Sequence, residues 1–141
     1  MRNVSAEFVQ PTSDTNIKFE ENNRKIIFLN PERRMYKKVQ VDGGAVKDTK
    51  CSKCDNLLVS DDEREERYVE LKGSDVMHAI EQLEATILML GECDENRHAY
   101  VVGTNVAPSY TTKIQQKALV FRKKYRSELL VREKRLDVKL Y

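Results

Sequence analysis

Apolar and polar positions change period several times along this chain, and each change marks an element. Lys25-Ile26-Ile27-Phe28-Leu29 is a continuous β-branched and aromatic run, which predicts a well-buried strand. Asn30-Pro31-Glu32-Arg33 turns the chain. Residues 36–41 then alternate, with Lys37, Val39 and Val41 on one face and Tyr36, Lys38 and Gln40 on the other. Asp42-Gly43-Gly44 closes that strand in a tight turn, so the first half is expected to supply a hairpin leading into a short strand that opens at Asp55. Residues 60–67 read as a solvated loop carrying Asp61, Asp62, Glu63, Glu65 and Glu66. Val76, Ile80, Leu83, Ile87 and Leu90 recur at helical spacing, with Ser74 as N-cap, Asp75 complementing the dipole and Gly91 as the stop. A strand at 98–103 completes a strand–helix–strand unit, which favours parallel neighbours. After Pro108, a helix capped by Thr112 turns Ile114, Ala118, Phe121 and Tyr125 inward, and 136–140 alternates as a terminal strand. Residues 1–23 are polar and mixed, with a short helix near 5–10. The expected class is α/β (α+β), a mixed sheet core flanked by helices in one domain spanning 1–141.

Strand phase carries the chemistry. If 67–72 is extended, Glu70 and Lys72 point to one face while Val69 and Leu71 point to the other. A second carboxylate, Asp55, can arrive from the neighbouring strand. Two carboxylates and an ammonium held side by side suit a hard divalent cation and an activated water. A lysine beside two carboxylates stays protonated by attraction, so an electrostatic role suits Lys72 better than that of a general base. The plainer reading is a cross-strand Asp–Lys or Glu–Lys pair on an exposed sheet face.

At these residues the chain resembles the PD-(D/E)XK nuclease superfamily, with its restriction-endonuclease-like fold. That pattern sets an Asp at the start of one strand, Glu-x-Lys or Asp-x-Lys on the next, and then a helix. Here the matching residues are Asp55, Glu70-Leu71-Lys72 and the helix from about Val76. Cys54 stands where the family most often has Pro. The resemblance covers roughly 35–105 and implies phosphodiester hydrolysis with Mg²⁺ or Mn²⁺. Asp55, Glu70 and the Leu71 carbonyl would be the metal ligands, and Lys72 would orient water or stabilise the phosphate. Gln82 would edge the site, and Glu7, Glu20 and Glu21 are the candidates for the family's first-helix Glu.

Composition adds charge asymmetry. The 141 residues are 40% apolar and 34% charged with a net charge of +2, yet 51–98 holds five Lys/Arg against thirteen Asp/Glu, and 111–141 holds ten against three. An acidic centre suits a metal, and a basic tail suits phosphates, with Lys113, Lys117, Lys123 and Lys124 as the gripping residues. The expected partner is nucleic acid, DNA rather than RNA, and two sites in a C2 homodimer would cut both strands. No run approaches a membrane span, the first residues lack a signal-peptide core, and three cysteines argue against a disulfide scaffold, so the cytoplasm is expected. Cys51-x-x-Cys54 with Cys93 and His98 has the ligand types for structural zinc, but Cys93 falls at the far end of a long helix. Two other classes therefore stay open: a catalytically inactive nuclease-like binding or inhibitor module, and a zinc-stabilised interaction domain.

Overall fold

A computed structural model describes residues 1, 4–41, 56–73, 75–92 and 95–140. A short 3₁₀ turn, Ala6–Phe8, leads into strands β1 (Val9–Thr12), β2 (Asn16–Glu21), β3 (Arg24–Leu29), β4 (Tyr36–Gln40), β5 (Asn56–Ser60) and β6 (Glu65–Lys72). Helix α1 (Val76–Leu90), strand β7 (Asn96–Gly103), helix α2 (Thr111–Val120), a π turn at Phe121–Tyr125, and strands β8 (Ser127–Glu133) and β9 (Arg135–Lys139) complete it. The strands form a six-stranded mixed sheet, ordered β1-β4-β5-β6-β7-β8, and a three-stranded sheet, ordered β2-β3-β9. The β6–β7 and β7–β8 pairs are parallel, as two helical crossovers require.

Each strand's alternation sorts it between two cores. On one face of the large sheet, Val39, Val41, Leu57, Val59, Tyr68, Ala99 and Val101 pack with the α1 stripe and with Phe121 and Tyr125. On the other face, Tyr36, Leu58, Val69, Leu71, Tyr100 and Val102 pack against Ile17, Phe19, Ile26 and Phe28 of the small sheet. Both helices therefore cover the same face, and a second sheet, which was not expected, covers the other.

The predicted stripe Val76, Ile80, Leu83, Ile87 and Leu90 is buried throughout. Its N-cap is Asp75, whose Oδ1 accepts from the His78 N–H at 3.0 Å; Ser74 lies outside the described residues. Gly91 ends the helix, and a Cβ there would stand 2.7 Å from both the Ile87 carbonyl and an Arg97 nitrogen. Other expectations are corrected. Residues 25–29 form no hairpin with 36–41, because β3 pairs with β2 and β9 instead. The β2–β3 link is a two-residue turn with positive φ at Asn22 (48°) and Asn23 (65°), the conformation Asn tolerates best after Gly. Residues 5–10 give one 3₁₀ turn and then β1. The second helix starts at Thr111, and the chain leaves it for β8, a strand that the sequence pattern does not predict.

The solvated loop is also shorter than its charges suggested. Asp61–Arg64 is a tight turn in which Asp62 Oδ1 accepts from Ser60 Oγ (2.7 Å) and the Arg64 N–H (3.1 Å); the Ser60 bond, chiefly, holds the Asp62 carboxyl below the usual range. Glu65 and Glu66 belong to β6, at 5% and 0% exposure, because each has an arginine beside it: the buried Arg67 at 2.6 Å and the half-buried Arg97 at 3.0 Å.

Candidate metal-site strand and its surroundings

β6 runs through the middle of the large sheet and is buried along nearly its whole length. Tyr68 lies in the core under the helices, while Val69 and Leu71 lie in the core between the sheets. Alternation then sets Glu70 and Lys72 on the helix side with Tyr68. Glu70 is 2% exposed, and Lys72 is half-buried at the strand's end. Their neighbours on β7 are Val101 and Gly103. The antiparallel partner is β5, and the pairing described there reaches Asn56 opposite Val69, the residues directly after Asp55 and directly before Glu70. Asp55 itself lies outside the described residues.

The end of β6 is fixed by backbone bonds. The Gly73 carbonyl accepts from the Thr104 N–H at 2.8 Å, and the Gly103 carbonyl accepts from the Lys134 N–H at 2.7 Å. Thr104 Oγ1 in turn accepts from Arg24 Nη1 at 3.1 Å, tying the small sheet to this end. A Cβ on Gly103 would lie 3.5 Å from the Lys72 and Gly73 carbonyls, an ordinary contact, so the two strand ends run close together here.

Gln82 is half-buried on α1, its backbone carbonyl accepting from Thr86 Oγ1 at 2.8 Å. His78, one turn earlier, faces Glu81 across 3.8 Å. Glu7 lies in the 3₁₀ turn and Glu20 and Glu21 at the end of β2, not on a first helix, and all three line one groove of about 610 Å³ together with Lys18, Lys38, Gln40 and Asn56. Lys38 is part-buried there, its ammonium donating to the Lys18 carbonyl at 2.9 Å, and desolvation lowers its pKa. This groove was not foreseen; the signal for it was the Ile17/Phe19 alternation that makes β2.

The four basic candidates lie along α2 and the π turn that follows it. Lys117 is a packing residue, its ammonium 2.6 Å from Glu84 Oε1, and Tyr125 OH donates to the other oxygen of Glu84 at 3.0 Å. Lys113, Lys123 and Lys124 are exposed. However, Lys123 and Lys124 lie just before Ser127, which pairs with Arg97, whereas Lys72 pairs with Gly103 six residues further along β7. At about 3.3 Å per residue these lysines sit about 20 Å from the end of β6. Cys51, Cys54 and Cys93 lie outside the described residues. His98 bonds to Asn96 Oδ1 at 2.6 Å. Among the described residues no group of three or more His, Cys, Asp and Glu side chains is placed to hold a metal.

A second polar cluster lies between the sheets at the opposite end of β6. Glu65 Oε2 accepts from Tyr36 OH at 2.8 Å, Arg67 Nε donates to Glu65 Oε1 at 2.6 Å, and Arg67 Nη1 donates to Tyr100 OH at 2.5 Å. Burial raises both phenol pKa values, Tyr36 most strongly, so both hydroxyls stay protonated, Tyr36 donating to Glu65 and Tyr100 accepting from Arg67. No local pattern in the sequence marks this cluster, because its members are spread over three strands.

No protein-family model, curated protein or solved structure matches this chain. Among the described residues no helix is long and apolar enough to cross a membrane.

Proposed function

We propose that this chain is a metal-dependent nuclease with the restriction-endonuclease-like arrangement, hydrolysing DNA phosphodiesters at the end of β6. The observation that carries the reading is the phase of β6. It turns a carboxylate and an ammonium to one side of the sheet, at the end where α1 begins, and Asn56 opposite Val69 brings the β5 chain to the residue directly after Asp55. The order of elements supports it: two antiparallel partners, β4 and β5, precede β6, then come a helix and a parallel strand.

The residues suit Mg²⁺ or Mn²⁺ in kind, since carboxylate and carbonyl oxygens are the ligands hard cations prefer. Such a cation supplies an activated water and relieves charge on the phosphate. Asp55, Glu70 and the Leu71 carbonyl would hold it. Lys72, half-buried at the strand end, would stabilise a phosphate as charge builds on it. Substitution of Glu70 by Gln keeps the shape and removes the charge. Cleavage of supercoiled plasmid with Mn²⁺ should fall by about 10³-fold or more; undiminished metal-dependent cleavage by Glu70→Gln would overturn the assignment.

The depth of Glu70 favours one second reading, a nuclease-like binding module without catalysis. At 2% exposure the carboxylate is nearly sealed under the helices. Calorimetric titration with Mn²⁺ separates the two, because a catalytic site gives binding that Asp55→Ala abolishes, and the binding module gives none.

A further inference from the structure

Among the described residues the two sheets end in four edges: β1 and β8 on the large sheet, β2 and β9 on the small one. An unpaired edge is a template for another strand unless something blunts it. β1 contains Pro11, which lacks an N–H. On β2 the Lys18 carbonyl is occupied by the Lys38 ammonium at 2.9 Å. A two-fold pairing of β9 about Asp137 would oppose Asp137 to itself and Arg135 to Lys139, both repulsive.

β8 reads differently. Its sequence is Ser-Glu-Leu-Leu-Val-Arg-Glu, and an antiparallel two-fold about Leu130 sets Glu128 opposite Arg132 twice, Leu129 opposite Val131 twice, and Leu130 against itself. Phase agrees with that register. Leu130 packs on the small-sheet side and Leu129 and Val131 on the helix side, so Glu128 and Arg132 share the face of Leu130 and meet across the axis. Leu129, Leu130 and Val131 are left half-buried, and Glu128 and Arg132 are exposed. Their present bonds are local: Arg132 Nη1 donates to the Val131 carbonyl at 2.8 Å, and Glu128 meets the exposed Arg122 at 3.4 Å.

We propose that β8 docks antiparallel on β8 of a second copy of this chain, joining two six-stranded sheets through an isologous edge centred on Leu130. In a C2 contact each pair occurs twice, so Glu128 binds the partner's Arg132 and Arg132 binds the partner's Glu128. The inference rests on the edge alone and is independent of any nuclease activity.

Sedimentation velocity of the full chain across a concentration series tests it. The wild type should dimerise. Glu128→Arg and Arg132→Glu should each weaken the dimer by about tenfold or more, since each creates two like-charge pairs. The double variant E128R/R132E should regain the wild-type affinity, and because both side chains are exposed neither change threatens the fold. A wild type that stays monomeric, single variants that dimerise unimpaired, or a double variant as weak as the singles would each overturn the proposal.

Discussion

His98 sits beside Arg67 with its ring stacked on Tyr100, centroids 6.2 Å apart. Burial first, and then the charge of Arg67, push its pKa down from 6.5 to about 4. The folded state therefore refuses a proton that the unfolded chain accepts, so stability is whole above pH 6.5 and is lost as pH falls through the window to about 4. After screening at this half-exposed ring the loss is at most about 2 kcal/mol. Urea titrations at pH 7 and pH 4 should show a smaller acid loss in His98→Gln than in wild type; equal losses would mean that His98 titrates as it does in the unfolded chain. Glu66 makes the complementary point. Its carboxylate is fully buried yet accepts from Arg97 Nε (3.0 Å), Tyr68 OH (3.1 Å) and the Glu92 N–H (3.2 Å) and lies 3.4 Å from the N-terminal ammonium of Met1, which together offset its burial. Sequence gives a carboxylate in a charged stretch; whether it is solvated or sealed depends on a guanidinium arriving from another strand.

The helices divide by how they are held. α1 buries Leu83 completely and leaves Leu88 60% exposed on its far side. Leu83→Ala should cost about 3 kcal/mol, whereas Leu88→Ala should stay within about 0.5 kcal/mol, as measured by chemical denaturation. Equal costs would mean that the stripe is not the packed face. α2 buries none of its own ten residues; it is anchored by Phe121 and Tyr125 in the adjoining π turn and by the Glu84 bridge. Burial, then Glu84, raise the Tyr125 phenol to about 12, so it remains the donor. α1 was legible because five apolar residues keep one phase over four turns. β2 and β8 were not. Ile17 and Phe19 alternate inside a polar segment, and the Leu129-Leu130-Val131 run is too short to separate a strand from the end of the preceding helix.

The molecule as a whole is layered: helices, large sheet, small sheet, with an apolar core on each side of the middle layer. Phe28 links the outer sheet to the middle one, its ring 5.5 Å from Tyr100 and 6.1 Å from Phe19 in edge-on contacts. Phe28→Ala should cost about 3–5 kcal/mol, with tyrosine fluorescence and far-UV dichroism still melting together, because both layers share the same core. Two separated transitions would show that the small sheet unfolds by itself.

Period and phase by themselves determined the buried stripe of α1, which residues of β4 and of β6 share a face, the parallel β6–α1–β7 unit, and the shared side of Glu70 and Lys72, since alternation and helical spacing are local properties of the chain. Only the tertiary structure decided which sheet each strand joins, that a second sheet rather than a helix covers the far face, that Lys117 is spent on Glu84, and that Lys123 and Lys124 stand a strand's length from Lys72. Those outcomes depend on pairings between residues tens of positions apart, whose free energy comes from packing and ion pairing that no local pattern encodes.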